Sequence, residues 1–294
     1  MKALKLLLLI AIGLALVGCG VSSGPLLDPK GPVALAQRTL FFETLAIMMI
    51  VVVPVWIFAA WFVPRYRASN KKGGYQQDWQ SIPVDVVVWL VPLAIIVAVG
   101  TYVWIYTHKL DPYKTIETDD NLEPFTVQVI AQDWKWLFLY PEQGIASVNE
   151  LVFPSATPLE LIITSDTVMN SFFVPALGSQ IYAMAGMETE LNLLAWEPGK
   201  FVGRNSQYSG DGFSKQSFDV IALNSADFDE WVAKVKQSQL RLDEASYQQL
   251  AKPSTAHPIT HYSSFEAGLF NQIMAKYSDG HGSHGGHAAH TSGE

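Results

Sequence analysis

The sequence predicts a membrane-anchored all-β protein: a two-helix transmembrane hairpin, then a β-sandwich, then a short helical, aromatic-rich region. Three observations point there. Two uncharged apolar runs, 44–63 and 86–107, each reach the length of a bilayer core. After Asp111-Pro112, short segments rich in β-branched and aromatic residues recur between turn residues. Helical periodicity returns only at Ser225. The composition agrees. Of 294 residues, 49% are hydrophobic and 16% charged, against about 25% charged in a typical soluble domain. That excludes a disordered chain, which needs the opposite balance. A net charge of -8 argues against nucleic acid, whose phosphates demand a basic surface. A single cysteine excludes any intrachain disulfide and any site needing two thiolates.

Residues 1–18 read as a lipoprotein signal peptide. Lys2 and Lys5 precede an apolar stretch, 6–17, that is too short to span a bilayer. It ends in Leu16-Val17-Gly18-Cys19, which resembles a bacterial lipoprotein cleavage box. The thiol of Cys19 is the nucleophile that takes a diacylglyceryl group, so the chain would carry a fatty-acid (palmitate) anchor. The alternative is an uncleaved segment with an incidental buried cysteine. Residues 19–41 then form a periplasmic segment.

The first transmembrane helix is expected at 42–64 and the second at 85–108. At about 1.5 Å per residue, an uncharged run of this size covers about 30 Å. Pro54 and Pro92 fall inside the runs, which a membrane helix tolerates better than a soluble one. Trp56, Trp61, Trp89 and Trp104 lie within the runs, and those near the ends, such as Trp61 and Trp104, suit an interfacial belt. Two buried core helices are the alternative. The loop 65–84 carries Arg65, Arg67, Lys71 and Lys72, with a turn at Gly73-Gly74, and such a cationic loop belongs in the cytoplasm. Everything after about Lys109 is then outside.

Residues 109–224 read as the sandwich. Strands are expected near 126–130, 134–139, 150–153, 159–164, 171–174, 189–195, 200–204 and 216–223, broken at Pro141, Pro154, Pro158, Pro175, Gly178, Pro198-Gly199 and 210–212. In the region 225–278, Ser225 is the expected cap of a helix whose stripe is Phe228, Trp231, Val232 and Val235. Shorter helices are expected at 243–250 and 265–277. The tail 279–294 holds His281, His284, His287 and His290 among small residues. It is either a metal-binding tract or a polar tail without a specific role.

Several runs resemble subunit II of the haem–copper terminal oxidases. Gln132-Asp133-Trp134-Lys135-Trp136 resembles the aromatic strand of that family's cupredoxin-like, Greek-key sandwich. The run from Ser165 through Asn170-Ser171-Phe172 to Pro175 resembles its histidine-bearing strand. Ala183-Met184-Ala185-Gly186-Met187 and Tyr208-Ser209-Gly210-Asp211-Gly212-Phe213 are closer to the cytochrome bo-type ubiquinol oxidase branch.

The resemblance implies a dicopper centre in members that accept electrons from cytochrome c, with the patterns V-x-H-S-F and C-x-E-x-C-G-x-x-H-x-x-M. Soft thiolates are needed there to stabilise Cu(I). In this sequence Asn170 takes the first His position; Asn205 and Ser209 stand for the cysteines, Gln207 for the Glu, Phe213 for the second His and Gln216 for the Met. No cysteine exists after Cys19. The resemblance therefore implies a subunit II without its own redox metal or catalytic residue, in a proton-pumping ubiquinol oxidase that oxidises quinol and reduces dioxygen. Haems and copper would sit in subunit I, where quinol delivers its electrons, and subunits III and IV would be further partners beside membrane lipid. The location implied is the bacterial inner membrane, with a multi-pass, lipid-anchored chain and a large periplasmic domain.

Asp85 is the candidate for proton entry, since a carboxylate near this position lies at a channel mouth in the family; it is otherwise an acid favoured by the helix dipole. Trp134 and Trp136 are expected to serve packing and subunit contact. A metal-handling lipoprotein that delivers copper through the histidine tail is the alternative function. A structural, membrane-anchored sandwich without an oxidase partner is a third. No triad, phosphate loop or H-E-x-x-H motif supports a hydrolase or NTPase.

Overall fold

The structure, a computed structural model, describes residues 24–70, 80–118 and 122–278. Cys19, Lys71, Lys72, Gly73-Gly74 and the histidines from His281 onward lie outside the described residues. Contacts divide the chain into two units: residues 36–111, and the remainder, which includes the segment up to Leu35.

The smaller unit is built on two helices long and apolar enough to cross a membrane, α1 (Pro32–Arg65) and α2 (Ile82–Lys109). Helix α1 begins ten residues before the expected span. Pro32 supplies a preset φ at its first turn, and nothing between it and the apolar run breaks a helix. At about 1.5 Å per residue, its 34 residues reach about 51 Å, well beyond one hydrocarbon thickness. Helix α2 starts after Ser81 with Pro83 and Asp85 both in its first turn. The two helices are tied by the Tyr106 hydroxyl, which donates to Glu43 Oε2 at 3.0 Å.

The larger unit is a sandwich of two sheets. Its strands are β1 (Phe125–Gln132), β2 (Lys135–Tyr140), β3 (Ile145–Val148), β4 (Glu150–Pro154), β5 (Leu159–Ser165), β6 (Asn170–Phe173), β7 (Gln180–Ala183), β8 (Thr189–Leu193), β9 (Gly199–Asn205), β10 (Ser217–Leu223) and β11 (Thr260–Tyr262). One sheet runs β11-β3-β2-β1-β5-β8 and the other β4-β10-β9-β6-β7. Two pairs are parallel, β1 with β5 and β4 with β10; the other neighbours are antiparallel. This is the cupredoxin-like arrangement the sequence implies. Alternation puts Val127, Val129, Ala131, Trp136 and Phe138 on the inner face against Phe172 and Phe218 of the other sheet. Phe172 and Phe218 stack at 5.0 Å, and Trp136 meets Phe172 edge-on at 5.3 Å.

The outer face of the larger sheet is buried too, which the sequence reading does not anticipate. Ile130, Leu137, Leu139, Ala146 and Val148 form a second core with residues of α4 (Glu244–Leu250) and α5 (Leu269–Ser278). Every residue of β2 is therefore buried. Helix α3 (Ser225–Lys236) presents the expected stripe, with Phe228, Val232 and Val235 buried. Its cap is Asn224 rather than Ser225: the Asn224 carboxamide oxygen accepts from the Asp227 N–H at 2.8 Å. Helix α5 starts at Leu269, later than expected, because Gly268 holds φ +80° just before it. Strands β3, β7 and β11 are additions to the expected set; each is only three or four residues long, below what periodicity resolves.

The segment before α1 and the helix's first turn are stapled to the sandwich. Lys30 N donates to Ala176 O at 2.9 Å, Trp196 N to Lys30 O at 3.1 Å, and Ala34 N to Leu177 O at 3.1 Å. The segment connecting the expected anchor to the hairpin is thus an integral edge of the fold.

Burial raises the phenol pKa of Tyr140, Tyr247, Tyr262 and Tyr277 above the ordinary value of 10.0; for Tyr247 the Asp166 carboxylate adds to the effect. Each phenol is harder to ionise folded than unfolded. The stability this contributes is complete below pH 10 and drains as the pH climbs past it. Lys135 runs the other way: burial lowers its ammonium pKa from 10.5, so the penalty for burying it lifts as pH approaches that value. The four phenols outweigh it. The urea midpoint is expected to hold from neutral pH to about 10 and to fall above it, and Tyr247→Phe should flatten that fall.

Candidate functional site

Three loops converge at one end of the sandwich: the β1–β2 turn, the chain entering β6, and the loop from β9 to β10. The β6 strand opens on Asn170, β9 ends on Asn205, and the loop brings back Ser209 and Gln216. Asn170, Asn205 and Gln216 are buried and Ser209 is half-buried.

These four side chains bond to one another. Asn205 Nδ2 donates to Asn170 Oδ1 at 2.7 Å, to Gln216 Oε1 at 2.9 Å and to Ser209 Oγ at 3.1 Å. Gln216 Nε2 donates to Asn170 Oδ1 at 3.0 Å, and the Ser209 hydroxyl to Gln216 Oε1 at 2.9 Å. Asn205 Oδ1 accepts from the backbone N–H of Ser171 at 2.8 Å and of Gln207 at 3.0 Å. Asn170 Nδ2 donates to Val168 O at 2.8 Å. The result is a closed cradle in which each amide is committed on both sides, as buried polar groups require.

Trp134 covers the cradle. It was expected at the head of a strand; it lies instead in the β1–β2 turn, with φ 64°. That left-handed conformation is costly for a bulky residue. Its indole Nε1 donates to Ser209 O at 3.1 Å. The loop is shaped to receive it: a Cβ on Gly212 would come within 2.3 Å of the indole, and Gly210 has φ +111°. Trp136, by contrast, belongs to the inner core.

Of the six positions singled out in the sequence, four meet in the cradle. The other two do not. Gln207 contributes only its backbone N–H, and the Phe213 ring packs on Tyr208 at 5.7 Å. Asp85 belongs to the helical unit, exposed in the first turn of α2.

A second polar cluster beside the cradle has no counterpart in the sequence reading. The Asp166 carboxylate, 3% exposed, accepts from Tyr247 Oη at 2.7 Å, Lys276 Nζ at 2.8 Å and Tyr277 Oη at 3.0 Å. Tyr277 shares its single hydroxyl proton between that carboxylate and Asp166 O, 2.9 Å away. The Asp166 carboxylate raises the pKa of the Lys276 ammonium in turn. Lys135, fully buried, donates to Lys252 O and Ser254 Oγ at 2.9 Å and reaches Asp133 O at 3.4 Å. Asp133 accepts from the Thr167 hydroxyl. Through these contacts the C-terminal helices hold the loop that leads into Asn170. One signal for this cluster was available: a lysine inside the aromatic strand must find oxygen acceptors once buried.

The donor set decides what the cradle can hold. Its atoms are carboxamides and a hydroxyl, hard and neutral, and already bonded to one another. A dicopper centre of the kind the sequence resemblance implies needs bridging thiolates. The residues present do not fit it. Among the described residues, no group of three or more His, Cys, Asp or Glu is placed to hold a metal ion.

Known proteins supply the comparison. Residues 95–225 match the family described as cytochrome c oxidase subunit II, periplasmic domain, and residues 236–281 match the COX aromatic-rich motif. Subunit 2 of a cytochrome bo(3) ubiquinol oxidase from Pseudomonas putida is 49% identical over 90% of this chain and 83% of its own length. The subunit of the same name from Pseudomonas aeruginosa is 48% identical over 97% of this chain and 86% of its own. A ubiquinol oxidase subunit 2 from Acetobacter aceti is 47% identical, with 91% and 86% covered.

Proposed function

The chain belongs to the subunit II family of the cytochrome bo(3)-type ubiquinol oxidases, and from that premise we propose that it serves its complex as a scaffold without a redox metal of its own. The single observation that carries this is the cradle. At the positions where thiolate, imidazole and thioether ligands stand in copper-bearing relatives, Asn170, Asn205, Ser209 and Gln216 spend their hydrogen bonds on each other. The network keeps the loops in place without an ion. Electrons from quinol then enter through subunit I, which holds the haems and copper, and the complex reduces dioxygen while pumping protons. Subunits III and IV complete it, and Cys19 carries the lipid that holds this chain to the inner membrane.

Within this proposal the chain's own residues dock, orient and gather protons. Trp134 caps the cradle and shapes the surface offered to a neighbouring subunit. The Asp85 carboxylate, exposed on the first turn of α2, collects a proton at the cytoplasmic face and passes it to the channel of subunit I.

Two measurements test the reading. The oxidase, purified through this chain, is expected to consume oxygen with quinol but not with reduced cytochrome c. The separated chain should carry no stoichiometric copper and no near-infrared dicopper band. Such a band, assigned to this chain, overturns the proposal. For Asp85, the Asp85→Asn complex should assemble normally and turn over several-fold more slowly. An unchanged rate would assign Asp85 to the helix dipole alone.

A further inference from the structure

The first turn of α1 is bonded to the sandwich, a periplasmic domain by its family, so a helix that crosses the membrane brings Arg65, its last residue, out on the cytoplasmic face. The uncharged run of α1 ends at Val63. Arg65 thus stands two residues, about 3 Å, beyond the hydrocarbon, inside a headgroup layer about 5–7 Å deep. Its guanidinium carbon lies 5.7 Å from the ring centre of Trp61, one turn earlier, and 5.9 Å from that of Tyr66. Both rings and both arginines of this end, Arg65 and Arg67, are exposed. The turn that follows folds back on the helix: Asn70 N donates to Arg67 O and Asn70 Nδ2 to Arg65 O, each at 2.7 Å. Arg67 Nε donates to Ser69 Oγ at 2.7 Å, which holds the second guanidinium to the same turn. Neither guanidinium meets a carboxylate among the described residues, and the sequence offers none between Glu43 and Asp78. A guanidinium beside aromatic faces keeps its in-plane N–H groups, in the fork that matches a phosphate.

We infer that the cytoplasmic end of α1 binds the headgroup of an anionic phospholipid, its phosphate held by Arg65 and Arg67 with Trp61 and Tyr66 flanking Arg65. Charge selects the lipid class. A zwitterionic headgroup carries an ammonium that meets the same two cations unfavourably; phosphatidylglycerol and cardiolipin carry none. The bare carbonyls at a helix C-terminus repel an anion, and here the Asn70 amide covers that of Arg65. The site depends on α1 crossing the membrane and not on what the complex oxidises.

Photolabelling of the purified complex tests this. The complex is reconstituted in phosphatidylcholine nanodiscs holding a small fraction of phosphatidylglycerol with a diazirine near its headgroup, or the same fraction of phosphatidylcholine so labelled. The stretch from Trp61 to Asn70 is expected to take several-fold more label from phosphatidylglycerol, and to keep that preference in excess inorganic phosphate. Joint substitution of Arg65→Gln and Arg67→Gln should bring the two lipids level. Lys109→Gln, at the opposite end of the hairpin, is the control and should leave the preference intact. Equal labelling in the parent complex overturns the inference, as does a preference that survives the double substitution. Loss of label to inorganic phosphate would make the site one for the free ion and overturns it too. A stretch that takes label from neither lipid is covered by an acidic surface of another subunit instead, which also overturns it. The comparison of lipids on the parent chain decides the matter even if the double variant fails to assemble.

Discussion

Asn205→Ala is expected to destabilise the sandwich by about 3–5 kcal/mol, a loss of roughly 10 °C in thermal midpoint. Asn205 sits at the centre of the cradle with five hydrogen-bond contacts, three of them sharing its two Nδ2 protons. Truncation leaves the Ser171 N–H without its acceptor in a buried setting, and Asn170 and Gln216 each lose a donor. Each abandoned group costs about 1–3 kcal/mol, less where water can reach from the half-buried Ser209 side. Gln207→Ala is the control. It changes another position singled out in the same loop, but the contribution there is a backbone N–H that alanine retains. Its effect should stay within about 0.5 kcal/mol. Thermal unfolding of the two variants measures the difference, and equal losses would show that the cradle does not act as a network.

Gly31→Ala is expected to cost about 3 kcal/mol or more, although it adds a single methyl group. A Cβ at this position would press into the backbone carbonyl oxygen of Leu194 and lie 3.3 Å from that of Leu177. Neither can swing aside as a side chain would, because Leu193, next to Leu194, lies in β8 and Leu177 belongs to the buried core. Relief requires the segment to lift, and lifting breaks the bonds from Lys30 and Ala34 to Ala176 and Leu177 and from Trp196 to Lys30. Limited proteolysis should then cut between residues 24 and 35, where the parent resists. Gly100→Ala, which meets nothing within 4 Å, is the matching control and should leave cleavage unchanged.

Much of the architecture was legible in the sequence because burial repeats at fixed periods. The apolar runs announced α1 and α2 by length alone. Alternation in β1 and β5 and the i, i+3, i+4 stripe of α3 announced one-sided burial. The four cradle residues were legible for a different reason: they stand where a known ligand pattern would place its donors. Other features left no local trace. Trp134 reads as a strand residue by propensity, and only the glycine mould at 210 and 212 explains its left-handed turn. Asn224 and Ser225 are both competent caps, and the choice depends on which oxygen meets the Asp227 N–H. The early start of α1 is hidden because Gln37, Arg38 and Thr39 interrupt the apolar run there.

What the sequence determined by itself was chemistry: two spans of bilayer length, a sandwich of alternating strands, and a ligand set without sulfur, since the only cysteine is Cys19. These follow from which atoms a residue carries and how often it recurs. Only the tertiary structure decided that the amides replacing the ligands satisfy one another, that both faces of the larger sheet are covered, and that Asp166, held by Tyr247, Lys276 and Tyr277, ties the C-terminal helices to the loop entering β6. The reason is physical: a buried hydrogen bond depends on two groups brought within about 3 Å across many residues of chain, and no periodicity encodes that meeting.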